Sequence, residues 1–88
     1  MKKLVEVTEV AGEGLEALLG ENVTIFCMNY IYAGTLVGVN SSFIKLENAS
    51  VVYDTGAFSK KDWATAEELP GAWYVQNSSI ESFGLLKG

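Results

Sequence analysis

The chain has 88 residues, 49% hydrophobic and 19% charged, which excludes a disordered polymer and sets the expectation of one small domain. Six lysines and no arginine stand against eleven carboxylates, for a net charge of -5, so a broadly basic surface of the kind that grips nucleic acid or anionic membrane by counterion release is excluded. Histidine is absent, which removes the usual proton shuttle at neutral pH and the commonest zinc ligand.

Residues 1–11 alternate between apolar and polar side chains and read as an edge strand or an extended arm. Gly12 and Gly14 break that pattern. Leu15, Leu18 and Leu19 then fall at i, i+3 and i+4 among good helix formers, and Gly20 supplies a stop, so a short helix is expected here. It is too short to stand alone, so its leucines must dock on something.

Val23 to Met28 predicts a first strand and Ile31 to Val39 a second, with Asn29-Tyr30 as the turn between them. Gly34 and Gly38 lie inside the second strand, where glycine signals a bend, a bulge or a close backbone approach. Asn40-Ser41-Ser42 is a polar turn. Phe43 to Tyr53 predicts a third strand, with Ile44 and Leu46 inward and Lys45 and Glu47 outward. Residues 54–71 read as a long connection with one helical turn near Asp62 to Leu69, pinned to the body by Trp63. Ala72 to Val75 and Ile80 to Leu86 predict the fourth and fifth strands, joined by the polar turn Gln76-Asn77-Ser78-Ser79. The expected fold is mainly β: one domain over residues 1–88, with a short N-terminal helix followed by a five-stranded, strongly bent open barrel.

Asn22 to Ile44 carries no charge and is long enough to cross a membrane as a helix. It alternates like strands and holds several asparagines, serines and threonines, so it reads as sheet and no membrane partner is expected. Lone Cys27 cannot form an intrachain disulfide and fits a reducing compartment; a cytoplasmic location is expected. No nucleophile stands with a base and no metal cluster is apparent, so neither an enzyme nor a cofactor is expected.

The two polar turns fall at the same end of a five-stranded meander. Asn and Gln carry both donor and acceptor, and Ser serves either role, so the two turns form a candidate polar site; ordinary turn chemistry also favours these residues. Gly34-Thr35-Leu36-Val37-Gly38-Val39-Asn40-Ser41-Ser42-Phe43-Ile44-Lys45-Leu46 and Val75-Gln76-Asn77-Ser78-Ser79-Ile80 match in spacing the two motifs of the Sm-like family, which includes the bacterial host-factor branch. The chain resembles that family over about Leu15 to Leu86. It departs from the pattern at Asn40, where the family has Asp, and at Gln76-Asn77, where the family has Arg-Gly.

The resemblance implies a ring of identical subunits, the fourth strand of one copy pairing with the fifth of the next. It also implies single-stranded RNA bound at the polar turns, by Asn40, Ser41, Ser42, Gln76, Asn77 and Ser78 with Phe43 and Tyr74 alongside. Lys60 and Lys61 on the long connection would add backbone contacts. A protein-interaction ring without nucleic acid is the rival expectation, favoured by the acidic balance.

Overall fold

The computed structural model describes residues 12–59 and 63–85. The strands are β1 (Asn22–Cys27), β2 (Ile31–Val39), β3 (Phe43–Asp54), β4 (Thr65–Glu68), β5 (Trp73–Gln76) and β6 (Ile80–Gly84). All pairings are antiparallel. One edge of β3 pairs with β2, and the order continues through β1 to β6. The other edge of β3 carries β4 along its C-terminal part and β5 along its N-terminal part.

β4 and β5 behave as one interrupted strand. Ser50 pairs with Glu68 and Leu46 with Trp73, and between them the Leu69 N–H still donates to the Ala49 carbonyl at 2.8 Å. The interruption falls at Pro70-Gly71. Proline has no N–H for a ladder, and Gly71 sits at φ 65°, a conformation that side chains disfavour. Across the break, Asn48 of β3 also has a positive φ, 52°, a region that Asn tolerates better than most residues.

Three expectations are corrected here. There are six strands rather than five, because residues 54–71 contain β4. The helical turn expected near Asp62 to Leu69 is replaced by strand at Thr65–Glu68: Ala and Glu favour helix weakly, and the open ladder of β3 overrides that preference. Residues 60–62 lie outside the description, as do the expected arm at 1–11 and Leu86. The N-terminal helix is a single 3-10 turn, Leu15–Leu18. It cannot lengthen because Gly20 N–H donates to the Leu36 carbonyl at 2.7 Å and Leu36 N–H to Glu21 at 2.9 Å, which ties the chain to β2. Leu15 and Leu18 do pack on the core, while Leu19 is exposed.

The core is Val23, Ile25, Leu36, Ile44, Leu46, Ala49 and Val75, drawn from β1, β2, β3 and β5. Strand alternation places Ile44 and Leu46 inside with no exposure, and each side chain of this size stabilises by about 1.5–3 kcal/mol when fully buried. The close approach that glycine predicted is at Gly34: a Cβ there would lie 3.0 Å from both the Ala49 Cα and the Glu47 carbonyl oxygen. The β2–β3 register shifts at this contact, between Ala33 and Thr35, and again between Leu36 and Gly38, which lets the two strands coil tightly. Trp63 pins its segment as expected, through an edge-to-face chain of rings from Trp63 to Phe58 to Phe26 on β1. The hydrogen-bonded sheet is nevertheless open, since no pairing joins β4 or β5 to β6 among the described residues.

The uncharged run Asn22 to Ile44 forms β1, β2 and the start of β3. Among the described residues no helix is long and apolar enough to cross a membrane.

Candidate interaction surface

The β2–β3 turn and the β5–β6 connection meet, and two of their three amides are used within and between the turns. Asn40 Oδ1 accepts from the Ser42 N–H at 2.7 Å and the Phe43 N–H at 2.8 Å, an Asx-type closure of its own turn. Asn77 N–H donates to the Ser42 carbonyl at 2.9 Å, and Asn77 Nδ2 donates to the Asn40 carbonyl at 2.9 Å. Residues Asn77–Ser79 form a 3-10 turn that sets these two donors facing the β2–β3 turn. Asn77 Oδ1 is buried without a protein partner.

The predicted polar cluster therefore divides. Asn40, Ser42 and Asn77 form a latch between the two turns, and Ser41 is exposed beside it. Gln76 and Ser78 instead line a cleft of about 460 Å³ whose remaining walls come from elsewhere. Phe43 and Tyr74 are neighbours on the adjacent strands β3 and β5, ring edge to ring face at 5.4 Å. Lys60 and Lys61 lie outside the described residues; among those described, Lys45 is the one cation, its Nζ 5.9 Å from the Tyr74 ring centre.

The cleft is bounded by the β1–β2 turn (Met28, Asn29, Tyr30), by Cys27 and Tyr32, by Tyr74 and Val75 of β5, and by Ile80 and Glu81 of β6. Met28 is 83% exposed, an unusual position for a large apolar side chain in a tight turn. Burial pushes the Cys27 thiol above its ordinary value, and the Glu81 carboxylate pushes the same way, so the thiol stays protonated at neutral pH. Burial also raises Tyr32, opposed in part by a hydrogen bond with Trp73. Among the described residues no three His, Cys, Asp or Glu side chains are grouped to hold a metal ion.

The cleft residues Met28, Tyr30, Tyr32, Ile80 and Glu81 were not among those the sequence singled out. A turn written Met28-Asn29-Tyr30, with large side chains where small polar ones are usual, was the available signal.

Among the described residues β4, β5 and β6 each have one edge without a strand partner, and these edges differ in chemistry. β4 is fully exposed and presents Glu67 and Glu68. β5 holds no charged residue, and β6 holds one, Glu81. Tyr74, Phe83 and Leu85 are exposed on or beside β5 and β6.

No family model matches the chain, and no curated protein matches it. Solved structures do. One is a chain in the crystal structure of the NatC complex bound to CoA, with 14% identity and a TM-score of 0.62, the match covering 94% of this chain and 91% of that one. Another is a chain in the NatC complex bound to Gag peptide and CoA, with 17% identity and a TM-score of 0.57, covering 80% and 87%. At such identity the likeness is one of fold.

These findings correct the resemblance drawn from the sequence. The matching structures are NatC chains and no Sm-like family model is matched, so membership of the Sm-like family and the RNA-binding ring it implied are withdrawn. The motif match rested on spacing with few identities, and spacing of this kind follows from strand and turn lengths alone. In the structure Asn40 Oδ1 and Asn77 Nδ2 are engaged in the latch between the two turns, while Gln76 lines the cleft.

Proposed function

We propose that this chain is a non-catalytic protein-interaction module that joins a larger assembly by strand addition at β5 and β6. The observation that carries this reading is the contrast between the free edges. β4 presents two carboxylates, the usual protection against unwanted pairing, whereas β5 and β6 are poor in charge and flanked by exposed Tyr74, Phe83 and Leu85. The matched chains support it, since they are parts of a complex and are similar in fold to this chain over 94% and 80% of its length. The protonated Cys27 thiol fits a side chain without a nucleophilic role. In this reading the sheet is an open barrel, left unclosed between β5 and β6 and completed by its partner, in the reducing interior of a cell.

A second reading is a ring of identical copies, β5 of one beside β6 of the next. It is favoured by the one edge that each of these two strands leaves unpaired among the described residues, which one head-to-tail contact would satisfy.

Native mass spectrometry of the chain from its host, alone and with co-purified proteins, tests both. A stoichiometric complex with a different chain is the expected result, and a closed multiple of the chain's own mass selects the ring. Ser82→Lys or Phe83→Lys on β6 should release the partner while circular dichroism shows an unchanged fold. A lone monomer under all conditions, or full binding by both variants, overturns strand addition.

A further inference from the structure

The cleft has a composition that edge pairing alone does not require. Its walls carry three tyrosines, Tyr30, Tyr32 and Tyr74, and its one charged residue is Glu81. Tyr30 and Tyr74 are each more than half exposed, at 54% and 56%. The Tyr30 and Tyr32 rings are tilted by 43° with centroids 6.2 Å apart, so neither covers the face of the other. A tyrosine face is the negative part of its quadrupole, and a nearby carboxylate adds a full negative charge. Lys45 Nζ lies 5.9 Å from the centre of the Tyr74 ring, at the outer limit of a cation–π contact.

The complementary group has a positive charge, a flat apolar face and an apolar stem. Guanidinium meets all three conditions, because it stacks on aromatic rings and forks onto a carboxylate, whereas ammonium is a hydrated point charge. The net charge of -5 favours approach of a basic segment from any direction. A volume of about 460 Å³ holds one long side chain with part of its flanking residues.

Building on the interaction reading above, we propose that the cleft between β5 and β6 receives an arginine side chain from an extended segment of a partner protein. The tyrosine rings take the guanidinium plane and Glu81 takes its N–H groups. The chain itself contains no arginine, so the occupant is a different protein and not a second copy.

The test uses the full chain, isotope-labelled, titrated with acetyl-Val-Arg-Val-amide. Parallel titrations replace arginine by citrulline, its neutral isostere, by lysine and by glutamate, and arginine amide serves as the free cation. The expected result is amide shifts confined to residues 27–32 and 74–81, with arginine bound about tenfold more tightly than citrulline. Lysine should fall between them, and glutamate should not bind. Glu81→Gln should weaken the arginine peptide about fivefold and leave the citrulline peptide unchanged, and Tyr74→Leu should weaken the arginine peptide while thermal melts show both variants folded. Equal binding of citrulline and arginine overturns the cation site and leaves strand addition standing. Equal binding of arginine amide and the arginine peptide overturns the peptide origin of the cation. No shift with any peptide overturns the cleft as a site, while the β6 variants decide strand addition separately.

Discussion

The side-chain amide of Asn77 donates from Nδ2 to the main-chain carbonyl of Asn40 at 2.9 Å, joining two turns that are 37 residues apart. The two asparagines are not equal partners in this latch. Asn40 Oδ1 satisfies two main-chain donors. Asn77 makes one side-chain bond and leaves its Oδ1 buried and unmatched. Asn40→Ala should therefore cost about 1–2 kcal/mol, because it removes two turn-closing hydrogen bonds at once. Asn77→Ala should cost less than about 1 kcal/mol, since losing its bond is offset by removing an unsatisfied acceptor. Thermal melts of the two variants check the order, and a larger loss for Asn77→Ala contradicts it.

The β2–β3 crossing depends on one missing side chain. A Cβ at Gly34 meets backbone atoms of Ala49 and Glu47 at 3.0 Å, and backbone cannot rotate away. At Gly38 the nearest atom is the Lys45 Cβ at 3.4 Å, an ordinary contact. Gly34→Ala should destabilise by about 2–3 kcal/mol and Gly34→Val by more, while Gly38→Ala stays within about 0.5 kcal/mol. Chemical denaturation of the three variants tests this; equal midpoints for Gly34→Ala and Gly38→Ala would remove the close approach as the constraint on this strand.

Three groups tie stability to alkaline pH. Cys27 is raised above 9.0 by burial and then by Glu81. Tyr32 is raised above 10.0 chiefly by burial, and Tyr53 above 10.0 by its hydrogen bond to Glu67 and that carboxylate's charge. In each case the folded chain holds the proton more firmly than the unfolded chain. The contribution is complete below the ordinary pKa and is lost as pH rises through the folded value. The melting temperature should thus be flat from neutral pH to the ordinary thiol pKa of 9.0 and then fall, with the tyrosines adding a second decline above 10.0. Cys27→Ala should remove the first part of the decline. A melting temperature that rises over this window has the wrong sign for all three groups.

Much of the sheet was legible because its cause is local. Ile31–Val39 reads as a strand of those limits from its alternation and β-branched residues, and the fold has it so. The polar turns at Asn40 and Asn77 were legible as neighbours. β4 was not, since Thr65–Glu68 is exposed throughout and favours helix when read alone; only the ladder of β3 makes it a strand. The cleft was not legible either. Tyr30, Tyr74 and Glu81 line one cleft although they lie on the β1–β2 turn, β5 and β6, and no short window of sequence contains that geometry. For Asn40 the sequence displays an amide but not that its Oδ1 closes its own turn.

The last prediction concerns the acidic edge at β4. β4 borders the sheet with all four residues exposed, and its outward main-chain groups are as able to template a strand as those of β5 or β6. What differs is Glu67 and Glu68. Two adjacent carboxylates on a strand edge repel an identical edge and cost desolvation against any apolar one. Glu67 is also held by Tyr53, whose Oη donates to Oε1 at 3.1 Å and fixes the carboxylate on that border. Replacing both in Glu67→Gln with Glu68→Thr should leave the fold intact, because neither side chain is buried, and Thr has the higher strand preference. The variant should gain a concentration-dependent association that the native chain lacks, read as a rise in weight-average mass by light scattering. High salt should reproduce part of that rise in the native chain by screening the same charges. Identical mass distributions for native and variant chains across concentration and salt would mean that the carboxylates do not guard this edge, and the contrast with β5 and β6 would lose its meaning.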